Sequence, residues 1–188
     1  MRLENSFEVN APPERAWDLL IDTPRVIPCM PGAQLEETVD ESTWKASMHV
    51  KLGPIALEFE MDLRRESMEE SARRVRLVAS ARERRNRGRA DATIDSTLGA
   101  VGGGTRVELV TDLTLSGIIA QYGRGMIQDI SSQLVTSFAQ CLEAQLEATP
   151  AEPQAATAAH TKPLAGLPLV FSALRRALAR LLRIRRAS

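Results

Sequence analysis

Two cysteines, two histidines and one tyrosine are spread over 188 residues, and aromatics make up only 4% of the chain. Cys29 and Cys141 lie far apart, and their spacing matches neither a disulfide framework nor a zinc site. Cys29 reads as a small buried residue in a proline-rich turn, because no histidine or lysine stands near it in sequence to lower its pKa. His49 and His160 have no partner at metal-ligand or triad spacing. His49, in "SMHVKL", falls on the strand face opposite Met48 and Val50 and reads as a surface residue. No apolar stretch approaches the ~20 residues that span a bilayer. The start, "MRLENSFEVNAPPERAW", has no secretory apolar segment, so the expectation is a cytoplasmic protein with no metal and no catalytic group.

Net charge is also missing, but only in the sum. Up to Thr149 there are 17 Lys+Arg against 23 Asp+Glu, and from Pro150 onward 7 against 1. An acidic body of net −6 therefore carries a basic tail of net +6, and the tail is expected to meet an anionic partner.

Hydrophobic residues make up 44%, enough for a core. Met1 to Val9 alternates with Leu3, Phe7 and Val9 on one face, as a half-buried strand does. "APPERAWDLLIDT" opens on prolines at a helix start, with Glu14 in the first turn, and puts Trp17, Leu20 and Ile21 on one face. Pro24, Pro28 and Pro31 limit the next segment to a short helix or turns ending at Gly32. Six further alternating segments follow, from "AQLEETVD" to "GGGTRVELVTDLTLSG". The clearest is "PIALEFEMDL", with Ile55, Leu57, Phe59, Met61 and Leu63 against Glu58, Glu60 and Asp62. "GAVGGGT" reads as a hairpin turn, since no Lys-Ser/Thr follows it as in a phosphate loop. After Gly117 the period changes to three and four, and one amphipathic helix of roughly seven turns is expected. Gly123 and Gly125 near its start imply close packing or a deformable first turn.

The fold class is therefore α+β, with a curved antiparallel sheet of about seven strands around a long C-terminal helix. Two short helices after the first strand close one end. Inward Ala46, Met48, Ala79, Ala81 and Ala92 are small or flexible, consistent with a hollow between sheet and helix.

Three strings carry a resemblance: "F.VNAPPERAWDLLIDTPRVIPCMPGAQLEE", "VKLGPIALEFEM" and "GGGTRVELVTDLTLSGIIAQYGRGMI". They resemble the SRPBCC (START-like, helix-grip) superfamily and, within it, the family named for the G subunit of carbon monoxide dehydrogenase. The span Pro24 to Gly32 followed by the "GPI" turn is the most specific part. The string "RERRNRGR" departs from the resemblance, which implies a milder, glycine-rich segment there. The alternation puts Arg82 and Arg84 on a wet face, diluted by Glu83, Asp91 and Asp95. A solvated face, a partner-docking surface and nucleic acid are ranked in that order, because an acidic body repels phosphate chains.

The resemblance implies a non-enzymatic partner of a molybdenum-containing dehydrogenase of the carbon monoxide dehydrogenase type. It implies a hydrophobic ligand in the cavity, a respiratory quinone such as menaquinone or ubiquinone, or another prenyl lipid. Candidates for the lining, by position, are Met48, Leu57, Phe59, Met61, Ile119, Tyr122, Met126 and Ile130, with Trp17 and Met30 near the mouth. Methionine adapts to irregular ligands and aromatic rings stack on flat ones. Tyr122 is the one phenol available to donate a hydrogen bond to a ligand carbonyl. Taken singly, each of these residues reads equally well as ordinary core.

The domain expected at 1–148 is followed by a Pro/Ala/Thr-rich linker at 149–168, with a typical reach of about 25 Å. An amphipathic helix is expected at 169–186. Val170, Phe171, Leu174, Leu178, Leu181 and Leu182 share one arc, and Arg175, Arg176, Arg180, Arg183 and Arg186 share the other. This pattern describes a helix lying on an anionic membrane surface, here the inner face of the cell membrane, with nucleic acid disfavoured because it would not need the leucines. The functional expectation is a membrane-associated carrier of a hydrophobic ligand. The alternatives are an assembly or membrane-recruitment factor without ligand transport, and a small-ligand enzyme such as a cyclase. The scarcity of acid/base residues at apolar positions argues against the last.

Overall fold

The structure, a computed structural model, describes residues 1–52 and 55–148. The expected linker and basic helix, with Val170 to Arg186, lie outside the described residues, as does His160.

Seven strands form one antiparallel sheet: β1 Arg2–Val9, β2 Ala33–Thr38, β3 Thr43–Leu52, β4 Ile55–Glu69, β5 Arg74–Glu83, β6 Gly88–Val101 and β7 Gly104–Gly117. Their order is β1-β7-β6-β5-β4-β3-β2, a meander in which β1 closes onto the last strand. Between β1 and β2 stand helices α1 Pro13–Ile21 and α2 Thr23–Val26 and a 3-10 turn, Ile27–Cys29. Helix α3, Arg124–Glu147, follows β7 after a second 3-10 turn, Ile118–Gln121. The element order and fold class are those expected from the alternation.

The two-residue period decides which faces are dry. Leu57 and Phe59 on β4 are buried while their neighbours Glu58 and Glu60 are not. The pattern breaks at a bulge between Arg65 and Ser67, where the pairing with β5 slips. Arg65, the last position before the bulge, still shares the inward face of Leu63, donates to the carbonyl of Glu41 at 2.9 Å and lies 5.8 Å from the centroid of the Trp44 ring. Gly32 (φ +79°) ends the proline-rich segment where a Cβ would collide with the backbone of His49.

The largest apolar cluster joins α1, β1 and the second half of α3, with Trp17, Leu19, Val107, Phe138, Leu142 and Leu146 buried in it. Phe7 meets Phe138 edge-on at 6.1 Å. Polar groups register the helix here. Asn5 donates to the Ser131 hydroxyl at 3.0 Å, and Arg15 donates to the carbonyl of Leu146 at 2.7 Å, satisfying a helix-end acceptor.

Two expectations need correction. The last helix begins at Arg124, not just after Gly117. Tyr122 is extended, and neither Gly123 nor Gly125 has an atom within 4 Å of the place a Cβ would take. Gly123 thus marks the break, Gly125 lies in the first turn of α3, and neither is a site of close packing. Cys29 and Cys141, whose spacing resembles no disulfide framework, are joined in a disulfide, with Cα atoms 5.3 Å apart and a sequence separation of 112. Tertiary docking of α3 against the Ile27–Cys29 turn brings them together, and no local spacing encodes that. Gln145 donates to the sulfur of Cys29 at 3.0 Å and to the carbonyl of Arg25 at 3.3 Å, so the junction is hydrogen-bonded as well as covalent.

Candidate ligand groove

The sheet's inner face is filled unevenly. Every fully buried residue of α3, namely Phe138, Leu142 and Leu146, belongs to its C-terminal half. In the other half, Ile127, Ile130 and Leu134 are only half-buried. On the sheet, the inward residues Ala79 on β5, Ala92 and Ile94 on β6 and Leu113 on β7 are half-buried too, with Ala79, Ala92 and Leu113 in one row across the three strands. Small side chains in the middle strands leave the first half of the helix short of material to pack on. The apolar face at this end is thus incompletely covered, which marks it as the candidate groove.

One end of the groove is a second cluster, with Leu57, Phe59, Ala81 and Ile119 buried and Met48, Met61, Leu115, Tyr122 and Ile130 packed against them. Seven of the ten candidate residues therefore meet here: Met48, Leu57, Phe59, Met61, Ile119, Tyr122 and Ile130. The other three stand elsewhere. Trp17 and Met30 belong to the large cluster around α1, Trp17 fully buried, and Met126 on the first turn of α3 is 42% exposed. Beside Tyr122 a surface depression of about 290 Å³, lined also by Met1, Leu113, Leu115 and Ala120, lies against this cluster. Tyr122 thus touches both the packed cluster and the depression.

Gly117 makes the sharp exit from β7 that places Ile119 over the groove. Its φ is +70°, and a Cβ would run into the carbonyl of Arg87. The neighbouring β5–β6 hairpin is built on Glu83, whose side chain is 1% exposed. The alternation that puts Arg82 outward puts Glu83 inward, a signal present in the sequence but read there only as dilution of the arginines. Its carboxylate accepts from the backbone N–H of Arg85 (2.9 Å) and of Arg87 (3.1 Å), and from the Arg87 guanidinium (2.6 Å). These donors, the Arg87 side chain first, hold the Glu83 carboxyl down to about 2 although burial acts in the opposite direction.

A carboxyl whose folded-state pKa lies below the ordinary 4.5 contributes its stabilisation above that value and loses it as pH falls from about 4.5 towards 2. Glu83→Gln should therefore be less stable than the parent at pH 7, and the gap should close through this acid window. Denaturant melts at about pH 7, 4 and 2.5 measure it. A constant gap would show that the charge on Glu83 does not hold the hairpin.

His49 is exposed, with Nε2 3.6 Å from the carboxylate of Glu58 on the outer face. Among the described residues no group of three or more His, Cys, Asp or Glu side chains converges, and no helix is long and apolar enough to cross a membrane.

A sequence-family model describing the G subunit of carbon monoxide dehydrogenase (CoxG) matches residues 6–147. No curated protein matches the chain. Solved structures share the fold. A conserved protein from Geobacillus kaustophilus superposes with a TM-score of 0.70 at 16% identity, over 78% of this chain and 95% of that one. A Thermus thermophilus protein gives 0.59 at 18% identity, over 80% of this chain and all of that one. The Zhui aromatase/cyclase from a Streptomyces species gives 0.56 at 11% identity, over 78% and 93%. At such identities the likeness is one of architecture alone.

Proposed function

The chain belongs to the family of the carbon monoxide dehydrogenase G subunit, and from that membership we propose that it is a non-catalytic carrier of a hydrophobic ligand for a dehydrogenase of the carbon monoxide dehydrogenase type. The observation that carries the reading is the apolar cluster of Leu57, Phe59, Met48, Met61 and Tyr122 with the depression beside Tyr122, next to a first half of α3 that has no fully buried side chain. A flat, weakly polar ring with a prenyl chain, as in a respiratory quinone, matches the chemistry of such a groove. Met48 and Met61 adapt to its outline, Phe59 offers a ring face and Tyr122 offers a hydroxyl to a carbonyl oxygen. A carrier of this kind lets a soluble dehydrogenase pass electrons to a quinone otherwise confined to lipid. The basic segment 169–186 is assigned to the membrane surface, so that the carrier works peripherally on the cytoplasmic side.

The test is organic extraction of the purified full-length protein followed by mass spectrometry, with titration of added quinone in parallel. The expected result is a co-purifying prenyl quinone or lipid, displaced or refilled by the added compound, with binding weakened about tenfold by Phe59→Ala, which removes a buried ring. A protein that carries nothing and ignores added quinone would overturn the carrier reading. A recruitment factor without transport is the second reading, and the close packing of Leu57, Phe59, Ala81 and Ile119 favours it. Binding of the dehydrogenase by a protein empty of ligand would establish it.

A further inference from the structure

Three residues in and beside the arginine-rich string, Arg82, Arg89 and Ser116, stand in one row on the outer face of the sheet, opposite to the inward Glu83. There, at the end of the β5–β6 hairpin, a cleft of about 460 Å³ is lined by Arg82, Asn86, Arg87, Arg89, Ser116 and Gly117. Arg82 and Arg89 are direct register partners across β5 and β6. Like charges opposite one another destabilise a sheet, so this pair calls for a counter-charge.

The protein's own acids do not supply enough. Arg87 is held by Glu83, and Arg89 by Asp91 with the hydroxyl of Ser80 at 3.0 Å. Glu60, the register partner of Arg82 on β4, is engaged by Arg84, which also takes Glu58. Arg82 and Arg85 have no ion pair among the described residues. The excess stands on a fixed frame. The Glu83 carboxylate gathers the hairpin backbone, and a tight turn closes it, with the Asn86 N–H donating to the carbonyl of Glu83 at 2.7 Å and Asn86 left-handed at φ 56°.

We propose that the Arg82–Arg89 cleft is a binding site for a single phosphate group. Arg82 and Arg89 bring guanidinium charge from two strands, Arg89 with its Nε and Nη2 already on Asp91 and Ser80, and Asn86 and Ser116 complete a lining rich in hydrogen-bonding residues. The frame is ordered before binding, so little entropy is lost in forming the site. The acidic body around it opposes a long polyanion but leaves a single phosphate accessible. The phosphate comes from an anionic lipid headgroup or from a soluble phosphate compound, and the inference stands independently of what the groove carries.

The full chain is titrated with inorganic pyrophosphate by calorimetry, and with vesicles of phosphatidylcholine with and without phosphatidate by co-sedimentation. Parent, Arg82→Ala, Arg89→Ala, Arg89→Lys and Arg106→Ala proteins are compared. Arg106 lies on β7 and pairs with Glu8 and Glu108, away from the cleft. The basic tail is common to all variants, so only differences between them report on the cleft. Loss of a charge-assisted contact should weaken pyrophosphate binding about tenfold or more in Arg82→Ala and Arg89→Ala, less in Arg89→Lys, and not in Arg106→Ala. Vesicle binding that falls with the same variants and is competed by pyrophosphate assigns the phosphate to a headgroup. Vesicle binding unchanged by them assigns it to a soluble compound. Should Arg89→Ala not fold, Arg82→Ala, which breaks no ion pair, decides. If neither pyrophosphate nor phosphatidate distinguishes Arg82→Ala from the parent, the site does not exist.

Discussion

Reduction of the Cys29–Cys141 disulfide should lower the stability of the folded domain by about 4–5 kcal/mol, from the chain entropy of closing a loop of 112 residues. Stabilities of domains this size are roughly 5–15 kcal/mol, so the bond carries a large share of the total. It joins the Ile27–Cys29 turn to α3 within the largest apolar cluster, and opening it leaves Gln145 and the Arg25 carbonyl as the remaining ties there. Urea unfolding followed by circular dichroism, with and without reductant, measures the effect. The midpoint should fall on reduction in the parent and not in Cys141→Ala, which should already resemble the reduced protein. A midpoint indifferent to reductant would mean that packing alone holds the turn to the helix. On the cytoplasmic side of a membrane, thiol-reducing systems keep such pairs open, so the reduced form is the relevant comparison there.

Truncation after Thr149 should lower affinity for anionic vesicles by about a thousandfold. The removed segment holds seven of the 24 Lys+Arg and one acid. Each cation near an anionic leaflet contributes about 1 kcal/mol, so roughly four seated residues already give about three decades. The remaining domain, with 17 basic and 23 acidic residues, is repelled by the same surface. Co-sedimentation with phosphatidylglycerol vesicles at low and high salt checks this. Binding by the full chain should weaken as salt rises, and the truncated chain should remain in the supernatant throughout. Equal behaviour of the two proteins would remove the membrane from the functional reading.

How far the sequence discloses this molecule depends on the range of the interaction concerned. Strand alternation is local, and it places Leu57, Phe59 and Met61 inward correctly. It does not foresee the slip in pairing after Arg65, because a bulge shifts the register without leaving a mark in the hydrophobic pattern. Helix periodicity identifies α3 but overruns its start, since Ile118 to Gln121 keep helical spacing while forming a separate turn. Seven groove candidates gather because they share strand faces or the β7–α3 junction. Trp17 and Met30 fall elsewhere because their position relative to the mouth depends on how α1 and the proline turns seat on the sheet. The disulfide is the extreme case, a contact between segments that only the finished fold brings together.

The unequal packing along α3 has one more consequence. Its C-terminal half is anchored by three buried side chains, joined in the oxidised protein by a covalent staple, and its N-terminal half by neither. The C-terminal end therefore resists global unfolding, and in the proposed carrier the admission of a guest falls to the other end. An interior reached through the Tyr122 end needs only a local opening, which draws on the low-energy part of the fluctuation spectrum. Permeability and durability, which trade against each other in a uniformly packed core, are here assigned to separate halves of one helix.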